Sequence, residues 1–199
     1  IPHSSAGLMR IKSLTARVLL LTTVWSTVAL VVIGLLISTL YRRSAERGFQ
    51  DLLRAQLYNV INSVTIGDQG ALAGRPQLGD LRFAQPRTGW YWVVEPLGTY
   101  TAAPLVSPSL GSATIPVPSV LEAPFDKNYE RYYQVTDASG NRVQVAETEV
   151  VLDTDVRAAL FRVSGNVEVV ESDVSNVSRS LYLALAGFGV GSLIVNALD

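Results

Sequence analysis

Residues 18–40 read VLLLTTVWSTVALVVIGLLISTL, 23 positions without one charged side chain. At 1.5 Å per residue this helix would be about 34 Å long, enough to cross a hydrocarbon core of about 30 Å. We read it as a transmembrane helix. Arg10, Lys12 and Arg17 precede it, and Tyr41, Arg42 and Arg43 follow, the aromatic and basic flanks of a membrane interface. A cleaved signal peptide would have an apolar core of about 7 to 15 residues ending in a small-residue cleavage site. Ile37-Ser38-Thr39-Leu40-Tyr41 offers no good site, which favours an uncleaved anchor. Further along, residues 181–198 (LYLALAGFGVGSLIVNAL) form a second uncharged run, about 27 Å long as a helix. That length is marginal, and the expectation is a second span truncated at its C-terminal end. Gly187, Gly189 and Gly191 would each cost a water-exposed helix about 1 kcal/mol. In lipid, Gly187 and Gly191 form a Gly-x-x-x-Gly face suited to close helix contact.

These two runs account for an odd composition. Only 17% of the 199 residues are charged, against about 25% in an ordinary globular chain. None of the charged residues falls in the two runs, so the remainder has a nearly ordinary charge density. Cysteine is absent, which excludes a disulfide framework, thiolate metal sites and a cysteine nucleophile. The single histidine, His3, lies in residues 1–8, which read as a tag-derived tail ahead of Met9. Serine-histidine triads and histidine metal clusters are thereby excluded. A net charge of -1, with only two lysines, gives no footprint for nucleic acid.

Residues 9–17 are expected in the cytoplasm and 41–180 outside. The basic count does not decide this, because Arg42, Arg43, Arg47 and Arg54 follow the first span closely. Long translocated domains are, however, largely indifferent to local charge. Within 41–180, Phe49, Leu53, Leu57, Val60 and Val64 recur at helical spacing over 44–64. No proline or turn signal separates them from the first span, so one helix is expected to continue through. Gly67, Gly70, Gly74 and Pro76 end it. Seven of the nine prolines then fall between Pro86 and Pro124, favouring short strands and loops. Strands are expected at 90–95, in a hairpin of 132–136 with 142–152, and at 158–163, with Ser164-Gly165-Asn166 as the turn that leaves the last. Asn166 is a candidate N-cap for a helix in which Val170, Val174, Val177 and Leu181 follow a heptad-like spacing into the second run. The fold class is α+β: an antiparallel sheet domain flanked by two transmembrane helices that extend into it. If two copies pair along Leu53, Leu57, Val60, Val170, Val174 and Val177, a homodimer with a four-helix membrane bundle results.

No nucleotide-binding fingerprint, phosphate loop or zinc-protease motif is present. Glu147 with Glu149, and Asp153 with Asp155, fall on a strand and a turn, where solvated faces are the ordinary reading. No catalytic residue, metal ligand or cofactor is assigned in this segment. Three features are candidates for ligand recognition. Trp90 and Trp92 share one face of their strand and Tyr91 the other, either as core or as the aromatic floor of a small-molecule pocket. Tyr129, Glu130, Tyr132 and Tyr133, with Asp126 and Arg131, gather polar and aromatic groups that suit a partner surface, a pocket rim or a solvated edge. The acidic excess over 122–155 suits divalent-cation bridging or plain solubility.

The layout and wording of the chain resemble the input half of bacterial membrane-bound sensor histidine kinases of the PhoQ type, in particular a FeuQ-like subgroup. The likeness is carried by Met9-Arg10-Ile11-Lys12-Ser13-Leu14-Thr15-Ala16-Arg17, Arg43-Ser44-Ala45-Glu46-Arg47 and Thr88-Gly89-Trp90-Tyr91-Trp92-Val93-Val94-Glu95-Pro96. Leu105-Val106-Ser107-Pro108-Ser109-Leu110, Asp137-Ala138-Ser139-Gly140 and Phe161-Arg162-Val163-Ser164-Gly165-Asn166 complete it. The resemblance implies a periplasmic PAS-like sensor domain, a homodimer in the bacterial inner membrane, and a downstream kinase module using ATP and Mg2+ on a cytoplasmic response regulator. The cue would be a small ligand, an ion, a lipid state or a periplasmic regulatory protein. The continuous acidic run of PhoQ-like sensors has no counterpart here, so cation sensing does not transfer. Alternatives are the input region of a chemoreceptor or cyclase, and a two-span membrane scaffold.

Overall fold

The computed structural model describes residues 8–198. The expected tail, with His3, lies outside them except for Leu8, which opens a helix. That helix, α1, runs Leu8–Ser63 without a break, so the apolar run and the amphipathic segment after it are one element. It ends where β-branched Val64, Thr65 and Ile66 favour extended backbone and form β1 (Val64–Ile66), paired antiparallel with β2 (Leu72–Gly74). Gly74 permits this close pairing. At φ 145° it adopts a backbone conformation rarely open to other residues, and a Cβ there would stand 2.1 Å from the Ser63 carbonyl oxygen.

The main sheet holds β3 (Tyr91–Pro96), β4 (Leu105–Val106), β5 (Glu130–Thr136), β6 (Arg142–Val151) and β7 (Ala158–Asn166). Its order is β4-β3-β7-β6-β5, antiparallel throughout. The expected hairpin forms with Thr136 opposite Arg142. One expectation is corrected: Ser164-Gly165-Asn166 is not a turn but the end of β7, with Ser164 opposite both Tyr91 and Val145. Gly165 remains in the strand because something must pass close above it. A Cβ there would meet Phe49 at 2.8 Å, Trp90 at 3.0 Å and Leu53 at 3.1 Å. The second long helix, α2 (Val167–Leu198), follows β7 directly. Asn166 is its N-cap: the side-chain Oδ1 accepts a hydrogen bond from the Glu168 amide at 2.9 Å.

The chain divides into two compact units. In Ala45–Ser172 the sheet buries both faces. One face, with Trp90, Trp92, Val94, Phe161 and Val163, packs against Leu53, Leu57 and Val60 of α1. Phe49 and Phe83 meet the Trp90 ring edge-on at 5.7 and 5.8 Å, and the Arg82 guanidinium stacks on it at 3.7 Å. The other face, with Tyr91, Val93, Tyr133, Val143 and Val145, is covered by Leu110 and Ile115 from the proline-rich segment. Each fully buried aliphatic side chain contributes about 1.5–3 kcal/mol, so α1 is held to the sheet chiefly by three such residues.

The other unit comprises the described parts of Ile1–Ser44 and Asp173–Asp199. Both long helices carry windows apolar enough to cross a membrane, of mean hydropathy 2.4 and 1.4. They meet at Gly34, where a Cβ would stand 2.6 Å from Leu185 Cδ1, and at a 2.8 Å hydrogen bond between the Ser38 and Ser178 hydroxyls. Thr22, Thr23, Thr27 and Thr39 donate their hydroxyls to carbonyls one turn back, at 2.7–2.8 Å, so no hydroxyl proton of these threonines is left bare on an apolar helix.

Candidate functional site: two buried carboxylates on opposite faces of one sheet

The polar and aromatic group at the start of β5 divides by strand alternation. Glu130 and Tyr132 fall on the face covered by α1, Arg131 and Tyr133 on the other. Each face then builds its own node around one carboxylate.

On the α1 face the centre is Glu130, only 3% exposed. Its Oε1 accepts from Arg54 Nε at 3.1 Å and from the Tyr58 hydroxyl at 2.6 Å. Its Oε2 lies 2.9 Å from Arg54 Nε and accepts from the Tyr132 hydroxyl at 3.0 Å. Arg54 and Tyr58 are four residues apart on α1 and so share a helix face. Burial and the hydrogen bond to Glu130 push the Tyr132 phenol well above its ordinary range, so Tyr132 stays a proton donor at any physiological pH. One carboxylate therefore bonds α1 to the first residue of an edge strand.

On the opposite face the centre is Glu147, fully buried. This corrects the expectation of a solvated face, which holds for exposed Glu149 but not for Glu147. Arg131 Nε donates to its Oε1 at 2.6 Å and the Tyr133 hydroxyl to its Oε2 at 2.7 Å. Burial first, then this hydrogen bond, raise the Tyr133 phenol. Arg131 also donates through Nη1 to the carbonyls of Pro118, Ser119 and Ala123, at 3.2, 3.4 and 3.0 Å, and lies over the Phe125 ring at 4.9 Å. The proline-rich segment is thereby stitched to the sheet. Register sets Arg162 of β7 opposite Glu147, and Arg162 in turn pairs with Glu95. Charges of alternating sign thus step across four strands. The Arg162 Nε has no hydrogen-bond partner.

The remaining candidates are located as follows. Trp90, Tyr91 and Trp92 alternate between faces as expected, and all are buried, at 2%, 3% and 7%. Their rings pack into the two cores, and the Tyr91 hydroxyl donates to Asp137 at 2.7 Å. Tyr129 belongs to neither node: it is 72% exposed, with φ 58°. Leu53, Leu57 and Val60 are fully buried within one chain, so as partners for a second chain they are corrected to core residues. Val174 is buried too, Val170 is half-buried, and Val177 is 38% exposed. Gly187 and Gly191 lie open with nothing within 4 Å. Within one chain the close helix contact is made by Gly34 with Leu185. The sequence signal for it was a small-x-x-x-small pair, Gly34 and Ser38, in the first run. Arg54, Tyr58 and Glu147 were also missed. Helical spacing beside the core positions Leu53 and Leu57 was the available sign for the first two.

Among the described residues no group of three or more His, Asp or Glu stands close enough to hold a metal ion. Neither node offers a nucleophile beside a free base, because each carboxylate is occupied by donors. The arrangement is suited to holding elements in register. Compared with known proteins, the chain matches no family model, no curated protein and no solved structure.

Proposed function

We propose that the chain is the signal-input region of a membrane-bound two-component sensor histidine kinase. Residues 41–180 form its extracytoplasmic, PAS-like sensor domain, and 18–40 and 181–198 are its inner-membrane spans. The observation that carries this reading is continuity: each helix with a run able to cross a membrane also ends inside the sheet domain. For α1 the attachment is Leu53, Leu57 and Val60 plus the Glu130 node. For α2 it is the Asn166 cap and the exposed Arg142–Glu171 ion pair. The sheet order supports the PAS-like reading: β3 to β7, taken as strands one to five, run 2-1-5-4-3.

In this reading a cue acts by binding one arrangement of the sheet domain better than another, since only differential affinity moves such an equilibrium. The sheet then biases α1 and α2, and the helices carry the change inward. The kinase module beyond this segment supplies the ATP and Mg2+ chemistry and transfers the phosphoryl group to a response regulator. A homodimer, if formed along α2, uses the exposed Val177 side rather than Leu53, Leu57 or Val60.

The first test is the coding sequence that follows Asp199 in the native gene. A histidine on a dimerisation helix followed by glycine-rich ATP-binding segments is expected, and a stop codon overturns the reading. The second is Glu130→Ala in the full-length protein, read by phosphorylation of the regulator. Release of α1 from the sheet should shift basal output at least several-fold and blunt the response to stimulus. Unchanged output in a variant that folds normally would refute the proposed coupling.

A further inference from the structure

We propose that the end of the helical unit bearing Arg42, Arg43 and Arg179 binds the phosphate headgroup of an anionic phospholipid. This inference rests on the reading of both long helices as membrane spans, and it holds whatever module follows the chain.

The two helices run antiparallel where they meet, since Gly34 approaches Leu185 and Ser38 bonds to Ser178. Arg42 lies one turn beyond Ser38 on the same face of α1, about 6 Å along its axis, and Arg43 follows it. Arg179 follows Ser178 on α2, and its long side chain can carry the guanidinium outward to a similar level. All three arginines are exposed. Across residues 34–44 and 173–188 the only other charged residue is Asp173. Among the described residues none of these four groups takes part in an ion pair. The charges further off do not reverse the balance. Glu46 and Arg47 offset each other in the next turn of α1, and Glu171 of α2 is engaged by Arg142. Asp51 stands about 12 Å beyond Arg43 along α1, and Glu168 about 16 Å from Arg179 along α2.

The surface beneath the arginines identifies the ligand. Leu36, Leu40 and Arg43 share one face of α1 at spacings of four and three, and Arg179 and Leu183 share one of α2 at a spacing of four. All three leucines are exposed, so Arg43 and Arg179 each cap an apolar stripe. A soluble anion would meet the guanidinium groups and leave the stripes bare, and so would an acidic protein segment. An amphiphile with an anionic head and acyl chains satisfies both. The guanidinium fork matches phosphate oxygens bidentately, which suits the head of a phospholipid. A zwitterionic lipid carries its own cation beside the phosphate and gains less, so a lipid of net negative charge is preferred. Because Arg42 and Arg179 come from different helices, one phosphate between them would also favour the Ser38–Ser178 contact.

The test uses the full chain in phosphatidylcholine nanodiscs carrying a trace of lipid with a photoreactive group near the top of one acyl chain. The probe is phosphatidylglycerol or phosphatidylcholine, and labelled peptides are mapped by mass spectrometry. A basic residue at an anionic surface gains about fivefold in association, so residues 34–44 and 173–188 should be labelled at least tenfold more by the phosphatidylglycerol probe. The triple variant Arg42→Gln, Arg43→Gln, Arg179→Gln should bring that ratio close to one. Arg47→Gln, whose charge Glu46 offsets, should change it less than about twofold. Cysteines placed at Ser38 and Ser178 should cross-link at least threefold faster in discs containing phosphatidylglycerol, and the triple variant should abolish the difference. Equal labelling by both probes, or a preference that survives the triple variant, would overturn the proposal and leave the spans standing. Cross-linking that ignores the lipid would overturn the bridge between the helices. Residues 18–40 labelled by neither probe would overturn the membrane reading, and this proposal with it.

Discussion

In Ala45–Ser172 the side chains of Arg131, Glu147 and Arg162 are buried, whereas in the helical unit Leu20, Trp25, Leu183 and Phe188 stand at least 65% exposed. The two units treat polar and apolar groups in opposite ways. A charge is buried in the sheet domain with its counter-charge and hydrogen bonds around it, because an unpaired one would be prohibitive. In the helical unit the Thr22, Thr23, Thr27 and Thr39 hydroxyls bond to their own helix and Ser38 bonds to Ser178. Continuous exposed apolar surface on this scale marks a membrane or protein contact.

The contrast can be broken most severely at Glu147. Glu147→Ala leaves Arg131 buried without its counter-charge and should cost about 3–5 kcal/mol, read by chemical denaturation of the chain in nanodiscs. Replacing both partners with Arg131→Met and Glu147→Leu should recover most of that loss. If the single variant cost less than about 1 kcal/mol, the pair would be no part of what holds the domain. Next is Gly165→Ala, which forces a methyl group against Phe49, Trp90 and Leu53 and should cost about 1–3 kcal/mol, with a change in tryptophan fluorescence as Trp90 is displaced.

A pH dependence comes third. Burial alone would raise the Asp137 carboxyl, but hydrogen bonds from Asn141, Tyr91 and the Ser139 amide outweigh it and hold the group below its ordinary value. A lowered folded pKa means the stabilisation is complete above the unfolded value of about 3.9 and is lost as pH falls through the folded one. Asp137→Asn should flatten the acid limb of stability below about pH 4, and an unchanged limb would contradict the assignment. The smallest effects belong to the helical unit. Gly187→Ala meets open space and should change stability by no more than a few tenths of a kcal/mol. Gly34→Ile presses on Leu185, and should reduce disulfide formation between cysteines placed at Ser38 and Ser178 while Gly187→Ala leaves it intact.

Much of the fold was legible because its signals are periodic. The uncharged run at 18–40, the helical spacing of Phe49 to Val60 and the alternation through Trp90-Tyr91-Trp92 each imply one geometry. The end of β7 was misread because Ser164-Gly165-Asn166 has turn composition, and only packing under α1 explains a glycine within the strand. The nodes were half legible. Glu130, Tyr132 and Tyr133 were marked as one group, but alternation separates them, and their partners Arg54, Tyr58 and Glu147 come from distant positions. Gly187 and Gly191 have the spacing of a contact face, and within one chain that face is open.

The junction at Asn166 has a consequence for phase. The last residue of β7 is the cap of α2, so no loop between them can absorb a change of length or angle. A helix turns about 100° per residue. Inserting a single residue after Val170 would turn every later position of α2 by about a quarter turn about the helix axis relative to Asn166. Residues added to α2 or removed from it keep its later positions in phase only in near-whole turns.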